Sequence, residues 1–148
     1  MKSMKTILST LVLSLIFITS SAQQSFSAEK TKTGDENINN YVVLTRKVEQ
    51  LKPILLAAQQ LAKEDNKQFG NFEIIVCGKE IGELTNEEKM KTHLENAERV
   101  NATIIACGFS LNKFKVDPKK IPSNIKIIDN GILHNINLQK KGYYSLEL

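Results

Sequence analysis

Apolar positions recur along this chain in two rhythms. Four runs, Tyr41-Val42-Val43-Leu44, Glu73-Ile74-Ile75-Val76, Thr103-Ile104-Ile105-Ala106 and Ile125-Lys126-Ile127-Ile128, place β-branched and aliphatic residues side by side instead of alternating them with polar ones. Strands covered on both faces read this way, so the pattern predicts buried strands of a parallel sheet. A fifth strand is predicted at 143–146.

Helical spacing fills the intervals. Pro53 suits the first turn of a helix, and Ile54, Ala57, Ala58, Leu61 and Ala62 line one face beyond it. Gly70-Asn71 marks a break before the second strand. Thr85-Asn86-Glu87-Glu88 reads as a capping box opening a helix whose core face carries Met90, Leu94 and Ala97. A short helix or turn is predicted at 109–114, and Asp117-Pro118 starts another that Pro122 stops. Asn130-Gly131 leads into a last helix at about 132–141, with Gly142 as its left-handed stop.

Strands alternating with helical spacers predict an α/β fold, a three-layer α/β/α sandwich with a mainly parallel five-stranded sheet. Right-handed crossovers bring every strand C-terminus to one edge, where open α/β folds build their sites. The order of the strands stays open.

The N-terminal segment has a different character. Lys2 and Lys5 precede an apolar stretch at 7–19, and Ser20-Ser21-Ala22 offers the small residues that a signal peptidase reads. Residues 1–22 are therefore expected to be a cleavable signal peptide, with the mature protein periplasmic or secreted. The apolar stretch is shorter than the roughly 20 residues a membrane span needs, so no stable membrane insertion is expected after cleavage. Residues 23–39 are polar, with almost nothing to bury, and read as a disordered leader. Residues 40–148 remain as one α/β domain.

Charge changes the picture once the signal segment is set aside. The whole chain carries 20 basic and 16 acidic residues, a net +4, but Lys2 and Lys5 leave with the signal peptide. The mature balance is 18 against 16, with the two signs interspersed and no tryptophan. That is not the footprint of a nucleic-acid binder. Dinucleotide, P-loop and nucleophile-elbow motifs are missing too, as is any carboxylate pairing of a glycosidase or protease. No cofactor is expected.

The chemistry that remains is sulfur. Cys77-Gly78 and Cys107-Gly108 each close a predicted strand with a glycine that lets the backbone turn at the site edge. Two cysteines in an oxidising compartment often form one disulfide, and neighbouring strands lie close enough for it. Parallel strand ends, however, seldom aim both side chains correctly. Cys107 stands just before the predicted helix at 109–114, where oriented N–H groups favour a thiolate. Cys77 would resolve an oxidised Cys107, relay sulfur, or fill space. Lys79 and Lys113 are expected on the same rim, as is His134, four residues after Asn130. His134 with both cysteines would make a Cys/Cys/His set, but no pair has metal-motif spacing and no metal site is assigned.

From Tyr41 onward the chain resembles the DsrE/DsrF-like family of small sulfur-relay proteins. The resemblance rests on the helix from Pro53 to Lys63 leading into Phe72-Glu73-Ile74-Ile75-Val76-Cys77-Gly78, on Ile104-Ile105-Ala106-Cys107-Gly108, and on Asp129-Asn130-Gly131-Ile132 with Leu138-Gln139-Lys140-Lys141-Gly142-Tyr143. It implies a parallel α/β/α fold, a homo-oligomer (trimer or hexamer), and a cysteine after the third strand that carries sulfur as a persulfide. That position is Cys107 here. Two departures stand out: Cys77 occupies a position that is histidine in many exported relatives, and Leu111-Asn112-Lys113-Phe114-Lys115 replaces an arginine-glycine stretch.

The expectation is thus a sulfur carrier or sulfurtransferase-like protein with Cys107 as nucleophile. Cys77, Gly78, Lys79, Gly108, Gly131 and His134 are expected to bind a small sulfur-containing ligand. The alternative is a non-catalytic oligomeric module, holding a small ligand or metal, with structural cysteines.

Overall fold

Three apolar runs become the buried centre of the sheet. The computed structural model describes residues 37–148, so the signal-peptide reading and all but the end of the leader fall outside it. Strands β1 (Asn39–Thr45), β2 (Phe69–Val76) and β3 (Ala102–Cys107) lie side by side. Ile74, Ile75, Ile104 and Ile105 are almost wholly buried, as expected of strands covered above and below. β1 begins at Asn39, inside the segment read as leader, because Asn39 pairs with Phe69.

The short strands β4 (Lys126–Ile128) and β5 (Tyr144–Glu147) complete a five-stranded, all-parallel sheet in the order β4-β3-β2-β1-β5. The fold is the α/β sandwich that the sequence predicts. The fourth apolar run is a correction. It is an edge strand, with Ile125 buried just before it and Ile127 exposed.

Strand order assigns the helices to faces. Each step from β1 to β4 moves the same way, so right-handed crossovers keep α1 (Leu51–Asp65) and α2 (Glu87–Arg99) on one face. The return from β4 to β5 runs the other way, so α4 (Gly131–Lys140) crosses the opposite face. Side-chain alternation agrees. Phe72 packs towards Tyr41 beside α1, whereas Glu73 and Ile75 meet His134 and Gly131 of α4.

Local chemistry sets the ends of these helices. Pro53 sits in the first turn of α1, and Leu51, Ile54, Leu55 and Ala58 form its buried stripe. The capping box shifts by one residue: Asn86, not Thr85, caps α2 by accepting from the Lys89 N–H at 2.9 Å. Thr85 donates instead to the Gly82 carbonyl and closes a 3-10 turn, Lys79–Thr85, that seats Ile81 and Leu84 in the core. Gly142 takes the left-handed conformation expected of it, with φ of 87°.

Asn86→Ala should therefore lower stability by about 0.5–2 kcal/mol, the usual cost of losing a helix cap. Urea denaturation followed by circular dichroism would measure it. A loss no larger than that of neighbouring surface substitutions would mean that this side chain does not hold the start of α2.

Candidate functional site

The C-terminal edge of the sheet gathers the sulfur chemistry. The β2–β3 register ends at Val76 opposite Ala106, so Cys77 and Cys107 are the next residues along two adjacent strands. The Cys77 N–H still bonds to the Thr45 carbonyl at 2.9 Å, which extends the ladder by one residue. Both thiols are free and nearly buried, with Cys77 6% and Cys107 3% exposed. No disulfide joins them, although they stand side by side on adjacent strands and meet the same face of Gly131.

Three glycines make this proximity possible. Gly78 has φ of 84°, where an L side chain is strained, and turns the chain sharply after Cys77. At Gly108 a Cβ would lie 2.9 Å from the Ile128 carbonyl oxygen, so the chain passes β4 at backbone distance. At Gly131 a Cβ would lie 2.6 Å from the Cys77 sulfur and 3.2 Å from the Cys107 Cβ. The first turn of α4 therefore rests on both cysteines.

The best-formed donor to Cys107 is not on the helix the sequence suggests. α3 (Gly108–Lys113) does start at Cys107, but it is only six residues long, and its Phe109 N–H is bonded to the Asp129 carbonyl. The hydrogen bond comes from α4: the Gly131 N–H reaches the Cys107 sulfur at 3.3 Å. Asn130 Oδ1 accepts from the Ile132 and Leu133 N–H groups, leaving that of Gly131 for the sulfur.

These contacts push the two thiols in opposite directions. For Cys107, burial is the largest single influence and raises the pKa. The Gly131 N–H, the Ser110 hydroxyl and N–H, and the Cys77 thiol together outweigh it, and the net shift is downward. The Ser110 N–H falls short of capping geometry, so Gly131 is the best-formed of these donors. For Cys77, burial, the neighbouring sulfur charge and the hydrogen bond it donates to that sulfur raise the pKa to about 12. Of the two, Cys107 gives up its proton the more readily and Cys77 the less.

A cavity of about 350 Å³ opens above the pair, lined among others by Arg46, Phe109, Ser110, Lys113 and Ile132. Two cations and no carboxylate face it, a lining suited to a small anion. Arg46 follows β1 and forms an exposed ion pair with Glu147 at 2.6 Å. Its position was readable from the sequence only as the residue after a strand end on the same rim. A separate apolar cavity of about 260 Å³ lies between α1 and β5, away from both sulfurs, and its lining offers no nucleophile beyond Ser145 and two tyrosines.

The remaining candidates separate. Gly131 contacts the sulfurs directly, whereas Gly78 and Gly108 shape the turns around them. The Gly78 N–H donates to Ser110 Oγ at 2.9 Å and so is not free for the ligand that Gly78 is expected to bind. Lys79 is exposed and does not line the cavity; Lys113 does. His134 is also set apart, with Nε2 2.6 Å from Glu73 Oε2, well back along β2 from Cys77. Among the described residues no group of three or more His, Cys, Asp or Glu side chains is gathered to hold a metal.

No family model matches the chain, and no curated protein sequence matches it either. Among solved structures, the chain is similar to a protein of unknown function, MTH1491 from Methanobacterium thermoautotrophicum. The TM-score is 0.58 at 12% identity, covering 75% of this chain and 99% of that one. At that identity the likeness shows the shared α/β fold and carries no chemistry.

Two outcomes follow for the sulfur pair. Alkylation of Cys107 by iodoacetamide should set in at lower pH than for an ordinary thiol, while Cys77 stays unreactive until near pH 12. Ser110→Ala, which removes one donor, should move the Cys107 midpoint upward, as read by peptide mass spectrometry across pH. Equal titration of the two cysteines would contradict the asymmetry. Separately, Gly131→Ala should destabilise the fold by about 1–3 kcal/mol through overpacking, measured as a lowered urea midpoint.

Proposed function

We propose that this protein is a sulfur carrier or sulfurtransferase-like protein whose nucleophile is Cys107. One observation carries the reading: a cysteine sulfur accepts a backbone N–H from a helix first turn at the floor of a cavity lined by Arg46 and Lys113. Thiolate is the form that attacks a sulfane sulfur, and cations facing it favour donors that carry an oxyanion. In the reaction, the Cys107 thiolate attacks the outer sulfur of a donor such as thiosulfate. A new S–S bond forms, the donor's S–S bond breaks, and sulfite leaves with the bonding pair. Cys107 is left as a persulfide.

The resemblance to DsrE-like proteins supports the same chemistry. With it we propose that the protein is exported and assembles as a trimer or hexamer. Exposed Phe109 and Ile132 beside the cavity mouth, with Leu133 and Ile136 further along α4, give an assembly apolar surface to bury. The alternative of a non-catalytic binding module draws on the near-complete burial of both thiols.

Reduced protein given thiosulfate should gain one sulfur atom on Cys107, detected by intact mass and peptide mapping, and Cys107→Ser should gain none. Arg46→Ala should weaken loading by about five- to tenfold at low ionic strength, with less effect at high salt, as expected for loss of one cation near an anion. Unmodified wild-type protein across several sulfane donors would sink the sulfur-carrier reading and leave the binding module.

A further inference from the structure

The proposed persulfide leaves one buried group unused. Cys77 follows the last paired residue of β2, beside Cys107 on the adjacent strand, and both line the same cavity. Gly131 closes over both, since any Cβ there would overlap the Cys77 sulfur. Adjacent strands lie about 4.8 Å apart, inside the Cα separation that a disulfide accepts. A spectator cysteine needs none of this.

We propose that Cys77 is a resolving thiol that discharges the Cys107 persulfide as sulfide, so that the protein reduces sulfane sulfur as well as binding it. The step rests on the persulfide reading given above. The terminal persulfide sulfur takes the Cys77 proton, and the Cys77 sulfur then attacks Cys107 Sγ. A Cys77–Cys107 disulfide forms, the bond from Cys107 to the outer sulfur breaks, and hydrosulfide leaves with the electron pair. The sulfane sulfur gains two electrons and the two cysteines lose two. Resetting the site requires an external dithiol reductant, which exchanges with the disulfide and returns both thiols.

The asymmetry of the pair suits this order of events. Both sulfurs line the cavity, but Cys107 is the one that accepts the Gly131 N–H at 3.3 Å, so it is the better placed to carry charge and attack the donor first. Cys77 keeps its proton until a base appears beside it, and the terminal sulfur of the persulfide is that base. A thiol of high pKa is also the stronger nucleophile once deprotonated.

The test uses fully reduced protein, freed of reductant, under anaerobic conditions, with thiosulfate as donor. Wild type should release about one sulfide per chain, lose both free thiols and show a Cys77–Cys107 disulfide by peptide mapping, the stoichiometry of a single thiol–disulfide exchange. The rate per chain should not depend on protein concentration, because both sulfurs belong to one chain. Cys77→Ser, with Cys77→Ala as a second variant that places no hydroxyl in the core, should stop at the persulfide and release no sulfide. Added dithiol should convert the wild type to many turnovers.

Persulfide that persists on wild-type Cys107 beside a free Cys77 would overturn the resolving role and leave the carrier reading intact. Sulfide release undiminished in both Cys77 variants would do the same. If neither wild type nor variants take up sulfur at all, both readings fall together.

Discussion

The first turn of α4 rests directly on two sulfur atoms, and the geometry of the site follows from how closely it does so. Gly131 has no side chain to hold the helix away from Cys77, so its N–H reaches Cys107 Sγ. Asn130 caps the next two N–H groups with its own oxygen, which leaves the Gly131 donor for sulfur. Topology brings that helix there. Because β5 lies beyond β1 while β4 lies beyond β3, α4 must cross the face opposite α1 and α2, and its start lies over the ends of β2 and β3. A site of this kind needs no conserved-looking motif. It needs a strand order, three glycines and one helix N–H that the cap leaves free.

Two neighbouring sulfurs do not ionise together, since the second charge would sit beside the first in a medium poorer than water at screening it. The pair therefore shares its protons unequally and titrates as a unit. The surroundings choose which member is charged. Cys107 is given a backbone N–H and the Ser110 groups, whereas Cys77 is given burial and its neighbour's charge. Arg46 does pull Cys77 towards the thiolate, but it is tied to Glu147 in an exposed ion pair and the effect is small beside burial.

How much of this the sequence carried follows from the range of each interaction. β1, β2 and β3 were legible because consecutive β-branched residues have one good use, and both cysteines were legible as strand ends followed by glycine. The edge position of β4 was not, because Ile125, Ile127 and Ile128 look as apolar as a central strand; only the strand order exposes Ile127. The cap of α2 was misplaced by one residue because either Thr85 or Asn86 could accept from the helix; Asn86 does so, while Thr85 donates to the Gly82 carbonyl. The donor to Cys107 was assigned to the helix that follows it, the nearest choice along the chain. Ser110 of that helix does contribute, but the best-formed donor lies 24 residues away, on a helix whose face depends on the order of the strands. Arg46 and His134 changed standing for the same reason: the end of β1 joins the rim, while the second turn of α4 is carried back over Glu73.

Burial explains why the site needs so many donors, and why those donors matter beyond one pKa. A thiol only 3% exposed would ordinarily stay protonated and inert, because the low-dielectric surroundings oppose its charge. Donors that offset that penalty stabilise charge on sulfur wherever it resides nearby, including on a terminal sulfur carried by Cys107. With a cavity of about 350 Å³ above it, the buried sulfur is approached more readily by small molecules than by bulky ones. An exposed cysteine with an equally lowered pKa would react faster with everything and hold nothing. On the proposed sulfur-carrier reading, burial with a few fixed donors trades that general reactivity for a loaded sulfur that has a single protein thiol beside it.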